Sequence, residues 1–128
     1  ILEGVPKTLP SILKSMRIQQ KASNVGFNWK NNKDAKEKVF EELIELSNEI
    51  DSGNIKKIEE EFGDVLFSLI NFGRILGINA DSSLEKSNKK FINRFKHLER
   101  KIKSKNIIFE NLSEKELLKY WELVKKEV

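Results

Sequence analysis

Two pairs of carboxylates stand among apolar residues near the middle of the chain. Glu42 and Glu45 lie in the segment EELIEL, and Glu61 and Asp64 lie in the segment EFGDV. A spacing of three residues places both members of a pair on one face of a helix. Carboxylates that converge repel one another unless a cation lies among them. From the residues alone, the pattern predicts either a metal site or two ordinary solvated helix faces, and both interpretations stay open.

The residue types restrict which ion such a site would hold. Carboxylate oxygens favour a hard divalent cation, Mg²⁺ first and then Mn²⁺ or Ca²⁺. The chain has no cysteine, and its single histidine, His97, lies in a later predicted helix, so zinc is disfavoured. No Glu-x-x-His pair occurs, which disfavours a di-iron site as well. We interpret His97 as an ordinary surface residue.

Helical periodicity runs through nearly the whole chain. Both prolines lie in the first ten residues, and no segment shows the alternation of a strand. We therefore predict an all-α fold, a helical bundle of about five helices. The predicted helices run from Pro10 to Ser23, from Asp34 to Ile50 and from Ile55 to Leu76, and two more open with capping boxes at Ser82 and Glu85 and at Ser113 and Glu116.

The predicted turn between the second and third helices decides where the carboxylates meet. The segment DSGN has the composition of a turn, and so short a connection makes the two helices antiparallel neighbours. The two carboxylate pairs then lie at similar heights, about two to three turns from the connection. The second helix is predicted to bury the apolar residues Val39, Leu43, Leu46 and Ile50.

The third predicted helix is apolar on nearly all sides over residues 65–76. Such a pattern predicts burial on several faces. Its one polar seam consists of Glu61, Asp64, Ser68 and Asn71. Phe67 and Phe72 project outside a single apolar stripe, which predicts that a homodimer covers them.

Bulk composition places the chain among globular proteins. Of 128 residues, 38% are hydrophobic and 34% are charged, which suits one domain over residues 1–128. The net charge of +4 fits an anionic ligand and is too small to indicate nucleic acid. No apolar run approaches the ~20 residues that span a bilayer, so no membrane partner is expected. Together with the absence of cysteine, this predicts a cytoplasmic protein.

These segments resemble a known family, the MazG-like nucleoside triphosphate pyrophosphohydrolases. EELIEL and EFGD resemble the family's E-E-x-x-E and E-x-x-D pairs, and VGFNW resembles its V-G-F-D-W loop, with Asn28 in place of the usual Asp. GDVLFSLINFGRILGI, SNKKFINRF and YWELVKKE resemble later family segments. The opening LEGVPKTLPSILKSMRIQQKAS is similar to the lead-in of the C-terminal domain in two-domain members. We therefore expect one MazG-like catalytic domain, either by itself or as the C-terminal domain of a longer protein.

The resemblance implies a fold, an activity and a set of site residues. It implies an all-α dimer that uses Mg²⁺, with Mn²⁺ as a substitute, to hydrolyse nucleoside triphosphates to the monophosphate and pyrophosphate. The implied metal ligands are Glu42, Glu45, Glu61 and Asp64, and Glu41 would orient or deprotonate the attacking water. The implied substrate contacts are Lys38 on phosphate, Lys90 and Arg94 as a clamp on the triphosphate, and Trp121 and Lys125 closing the site.

Two alternatives to this function stay open. One is a non-catalytic helical module that binds a protein partner through its basic surface and apolar faces. The other is a narrower enzyme of the same fold, a dUTP or dCTP pyrophosphatase. Phe27 and Trp29 also have two interpretations, since loop aromatics either cover a nucleobase or seal the end of a bundle.

Overall fold

The predicted helices are present, and the connections between them are short. The computed structural model describes residues 1–27 and 31–128, with Asn32 described by its backbone alone. Among these residues there are α-helices and one 3₁₀ helix and no strand, which confirms the all-α prediction. The helices are α1 (Ser11–Asn24), α2 (Asn32–Ser52), α3 (Ile55–Ile75), α4 (Ala80–Ser104) and α5 (Glu114–Glu127), and the 3₁₀ helix is Phe109–Asn111.

The turn between α2 and α3 forms as its composition predicts. Gly53 ends α2 with a φ of 72°, in the left-handed region that glycine adopts at least cost. Asn54 follows at once as the N-cap of α3, and its side chain accepts a hydrogen bond from the Lys57 amide at 3.3 Å. The two caps reverse the chain within two residues, so α2 and α3 pack side by side.

One of the two predicted capping boxes is wrong and the other is confirmed. α4 begins before Ser82, because the Asn79 side chain accepts a hydrogen bond from the Ser82 amide at 2.9 Å and so supplies the cap. In α5 the Ser113 side chain accepts from the Glu116 amide and the Glu116 side chain accepts from the Ser113 amide. Asn79 takes the role predicted for Ser82 because it stands directly before the first residue of α4, from where its side chain reaches the amide of the third.

Two compact units divide the chain at residues 83 and 84. In the first unit α3 packs against both α1 and α2. A long-range hydrogen bond joins α1 to α3, from Gln19 Nε2 to the Phe67 carbonyl oxygen at 2.8 Å. Ala35 and Val39 on α2 are buried. The single domain over residues 1–128 stays a prediction.

The faces of α2 and α3 that are buried differ from those the apolar pattern predicts. Leu66 and Leu69 on α3 are 47% and 50% exposed, whereas Ser68 and Asn71 on the polar seam are 6% and 4% exposed. On α2, Val39 is buried as predicted but Ile50 is exposed. α3 packs against both α1 and α2 and its Ile70 and Phe72 are half-buried, so burial on several faces is only partial within a single chain. Ser68 and Asn71 are covered in the chain, whereas the apolar stripe to which Leu66 and Leu69 belong is about half exposed.

The second unit has a small core of its own. Leu98 and Ile102 on α4 and Val124 on α5 are almost fully buried. Aromatic side chains surround them, with the rings of Phe91 and Trp121 centred 5.2 Å apart. None of the helices within the described residues carries an apolar stretch long enough to cross a membrane.

Candidate functional site

Three carboxylates from two helices meet in the first unit. Glu42 projects from α2, and Glu61 and Asp64 project from α3. Each offers an oxygen, and these oxygens lie within 4.8 Å of one another. The short Gly53–Asn54 connection makes this possible, because it places the middle of α2 beside the first half of α3.

A second group of carboxylates shares one member with the first. Oxygens of Glu41, Glu42 and Glu45 also lie within 4.8 Å of one another on α2. Glu42 belongs to both groups and is 7% exposed, so it lies at the buried centre of the acidic cluster. All the acids that the sequence analysis proposes as ligands or as the base therefore come together, although their predicted roles are not tested by this geometry.

Two oxygens in this cluster are buried without a hydrogen-bond partner among the described residues. They are Oε2 of Glu42 and Oε2 of Glu61. A buried carboxylate oxygen without a donor is costly, because the charge loses its hydration and gains nothing in return. A divalent cation would satisfy both oxygens, and a set made of carboxylates alone suits Mg²⁺ or Mn²⁺. The residues present therefore fit the metal that the resemblance implies.

Two carboxyl groups of the cluster have raised pKa values, and the crowding of negative charge contributes to both. The charge of Glu42 is the main cause that raises the pKa of Glu45 above its usual value, followed by burial. Burial raises the pKa of Glu61, and the charges of Asp64 and Glu42 add to the effect. Both carboxyls thus hold a proton more tightly than an isolated glutamate does, as expected where negative charge converges.

Lys38 is the cation that pairs with this cluster in the structure. Its Nζ lies 3.0 Å from Oε1 of Glu42 and 3.3 Å from Oε1 of Glu41. The hydrogen bond to Glu42 is the main cause that raises the pKa of Lys38 above its usual value. One lysine balances only part of a cluster to which Glu45 and Glu61 also contribute, so negative charge remains in excess.

The other residues proposed for the site lie in the second unit. Lys90 and Arg94 are four residues apart on α4, so they lie on one face of that helix. Lys90 is exposed, and Nε of Arg94 is buried with no hydrogen-bond partner among the described residues. On α5, Trp121 contacts the Phe91 ring and Lys125 Nζ lies 3.5 Å from Glu122 Oε1.

The segment that follows α1 holds the two aromatics with open interpretations, and α1 itself holds a buried glutamine. Phe27 is 80% exposed, whereas Asn28 and Trp29 lie outside the described residues. Gln19 is 5% exposed, and its Oε1 has no hydrogen-bond partner among the described residues. Sequence reasoning does not single out Gln19, because a glutamine on an otherwise amphipathic helix carries no signal of burial.

Comparison with known proteins links this arrangement to one family. A profile described as the MazG nucleotide pyrophosphohydrolase domain matches residues 30–99. The chain is 41% identical over 117 residues to a Thermotoga maritima protein named nucleoside triphosphate pyrophosphohydrolase/pyrophosphatase MazG, a match that covers 91% of this chain and 45% of that protein. It is 33% identical over 128 residues to the nucleoside triphosphate pyrophosphohydrolase of Escherichia coli (strain K12), a match that covers 98% of this chain and 49% of that protein.

A third relative is named without an activity. The Bacillus subtilis protein YabN, named as uncharacterised, is 36% identical over 122 residues, a match that covers 94% of this chain and 25% of YabN. The chain thus spans slightly less than half the length of the Thermotoga and Escherichia relatives. The matched family segment contains all five clustered acids and Lys38.

Proposed function

Since this chain belongs to the MazG nucleotide pyrophosphohydrolase domain family, we propose that it hydrolyses nucleoside triphosphates to the monophosphate and pyrophosphate in the cytoplasm. The observation that carries this proposal is the convergence of carboxylates from α2 and α3 around two buried oxygens, which have no donor in the part of the chain that the structure describes. The names of the Thermotoga and Escherichia relatives, both pyrophosphohydrolases acting on nucleoside triphosphates, support the choice of substrate.

Glu42, Glu45, Glu61 and Asp64 would hold the metal, with Mg²⁺ as the physiological ion and Mn²⁺ as a substitute. Bound divalent cations supply neutralisation of the polyphosphate, orientation of its phosphorus and a more acidic attacking water. The two unpartnered oxygens, on Glu42 and Glu61, are natural first ligands because they lose least on meeting a cation. The pairing of Glu42 with Lys38 would weaken as the cation takes over the negative charge.

Lys38 and Glu41 would then act on the substrate and on the water. Released from Glu42, the Lys38 ammonium becomes available to a phosphate oxygen one helical turn from the metal ligands. Glu41 has an exposed carboxylate at the edge of the cluster, where it would accept the proton of the attacking water. Its position among the acids and outside their buried centre supports this role.

Four residues of the second unit are proposed as substrate contacts because they match the family's motifs. Lys90 and Arg94 present two cations on one face of α4, which suits successive phosphates of a triphosphate. The buried and unpartnered Nε of Arg94 supports this role, since a phosphate oxygen would satisfy it. Trp121 offers an aromatic face to a nucleobase, and Lys125 offers a further cation. Both are proposed as further substrate contacts because they match the family's motifs.

A homodimer is the second part of the proposal. Leu66 and Leu69 belong to the apolar stripe of α3 and Phe67 lies outside it, and all three are 42–50% exposed in the single chain. Packing of these residues against a second copy of the chain would remove their apolar surface from water. The same stripe favours the alternative function, a non-catalytic module that binds a protein partner, so activity must decide between the two.

The deciding experiment measures pyrophosphate release from a panel of nucleoside and deoxynucleoside triphosphates. Reactions contain Mg²⁺, Mn²⁺ or EDTA, and the variants are Glu42→Gln and the control Glu59→Gln, which makes the same change of charge at an exposed position of α3. We expect metal-dependent pyrophosphate and monophosphate from the wild type and the control, and a loss of at least about a hundredfold in Glu42→Gln. A preference confined to dUTP or dCTP would support the narrower enzyme.

Three other outcomes would contradict the proposal. Release of single phosphate would place the cleaved bond elsewhere in the triphosphate. Absence of turnover from a folded wild-type chain, on every nucleotide and with either metal, would favour the protein-binding module. Equal activity in Glu42→Gln and Glu59→Gln would show that the acidic cluster takes no part in hydrolysis.

A further inference from the structure

A groove with two arginines runs along α1 and the C-terminal end of α3, within the first unit. Its volume is about 510 Å³, a size that accommodates a small ligand. Leu13 and Met16 of α1 and Ile70 of α3 supply apolar lining, and Arg17 and Arg74 supply cations. The groove therefore offers both apolar surface and positive charge in one place.

Arg74 is held in position by a neutral partner. Oδ1 of Asn71 accepts hydrogen bonds from Nε of Arg74 at 3.1 Å and from its Nη2 at 3.0 Å. Asn71 is 4% exposed, so its own side chain is fixed by packing. An amide oxygen orients the guanidinium and leaves its charge intact, with Nη1 and the second Nη2 proton free to donate.

The two arginines of the groove have no acidic partner in its lining. Within residues 1–27 and 31–128, neither Arg17 nor Arg74 makes an ion pair, and none of the residues that line the groove is acidic. α1 contains no aspartate or glutamate and adds Lys14 and Lys21 to the local charge. An anion that enters this groove would meet a field of one sign.

The groove is separate from the acidic cluster. Asp64 and Arg74 are ten residues apart on α3, which corresponds to about 15 Å along the helix axis. They also point about 80° apart around that axis at ~100° per residue. A ligand in the groove would therefore contact a different face of α3 from a metal held by Glu61 and Asp64.

We propose that this groove binds a small phosphate-bearing organic molecule with an apolar or aromatic body. The two guanidinium groups pair with phosphate oxygens, for which their planar forks are suited. The body of the ligand covers Leu13, Met16 and Ile70 and removes apolar surface from water. This site is additional to the proposed catalytic one and does not depend on a metal ion.

The test uses phenyl phosphate as the probe, with inorganic phosphate and phenol as its two halves. Binding to the full chain is followed by two-dimensional ¹H–¹⁵N NMR in EDTA, so that the acidic cluster holds no metal. We expect phenyl phosphate to shift amide signals in α1 and at the end of α3. Inorganic phosphate should bind at least about tenfold more weakly and phenol should not bind, because each lacks one half of the interaction.

Variants decide whether the arginines are responsible. Arg17→Gln and Arg74→Gln should each weaken phenyl phosphate binding about tenfold, whereas Lys36→Gln makes the same charge change at an exposed position of α2 and should leave it unchanged. Arg17 is exposed, so its variant keeps the test valid even if loss of the Arg74–Asn71 bonds disturbs folding.

Three results would overturn the proposal. The first is equal binding by all three variants, which would indicate general attraction to a basic protein. The second is a set of shifts centred on the acidic cluster or on the second unit. The third is equal affinity for phosphate and phenyl phosphate, which would leave the apolar lining without a role. Each of these is independent of pyrophosphate release, so the catalytic proposal is tested separately.

Discussion

Replacement of Gln19 by leucine should stabilise the protein, although it removes a hydrogen bond. Gln19 is 5% exposed, and its Nε2 donates to the Phe67 carbonyl at 2.8 Å, which contributes about 1 kcal/mol. Its Oε1 is buried without a donor among the described residues, and such an acceptor costs about 1–3 kcal/mol. Leucine has a similar volume and removes both the bond and the unsatisfied acceptor. We expect a net gain of about 1 kcal/mol in the free energy of unfolding.

Urea unfolding followed by circular dichroism measures this difference. Gln19→Ala is the matched comparison, because it also removes both amide groups but leaves a cavity, and it should destabilise the protein by about 1–3 kcal/mol. Gln20→Leu is the control on the exposed side of α1, where the expected change is within about 0.5 kcal/mol. A loss of more than about 1 kcal/mol in Gln19→Leu would refute the reasoning, since Oε1 would then have a partner of substantial value.

Three further predictions concern the metal, the capping box and the apolar stripe. Mg²⁺ at about a hundredfold excess over its Kd should raise the Tm of the wild type by about 10 °C and that of Glu42→Gln far less. Calorimetry measures both shifts, and equal shifts would contradict the metal site. Hydrogen bonds from the Ser113 side chain and then from its backbone amide lower the pKa of Glu116 below its usual value. Glu116→Gln should therefore be less stable than the wild type near neutral pH, and this difference should vanish as pH falls through the lowered pKa. A difference in urea midpoints that does not depend on pH would contradict this. Leu69→Glu should convert a dimer to monomers in sedimentation equilibrium and leave helicity unchanged, because Leu69 is 50% exposed within one chain; an unchanged dimer would exclude this stripe from the interface.

The sequence by itself determined the helices and most of their ends. Helical periodicity and end signals are local, because a helix forms from interactions within a few residues and its caps act on its own first or last turn. Ser113 and Glu116 form the capping box as predicted. Ser82 does not, because Asn79 is an equally good cap three residues earlier and a local pattern has no means of ranking the two.

Local signals also sufficed to bring the carboxylates together. The composition of the segment between α2 and α3 predicted a tight turn, and Gly53 and Asn54 form it. Once two helices are antiparallel and joined by so short a turn, the heights of Glu42 and Glu61 follow from the 1.5 Å rise per residue. The residue types favour a hard divalent cation for such a site, but by themselves they leave open the alternative of two solvated helix faces.

Only the tertiary structure decided which faces of these helices are covered. The apolar stripe of α3 predicted its own burial, yet Leu66 and Leu69 face solvent while Ser68 and Asn71 are buried. The burial of a helix face depends on which other helix packs against it. Because the hydrophobic effect is non-directional, the apolar pattern of one helix does not specify that partner helix. The same packing buries Oε2 of Glu42 and Oε2 of Glu61 without a donor among the described residues. Burial of this kind depends on how complete helices pack against one another, which the spacing of residues along one helix does not specify.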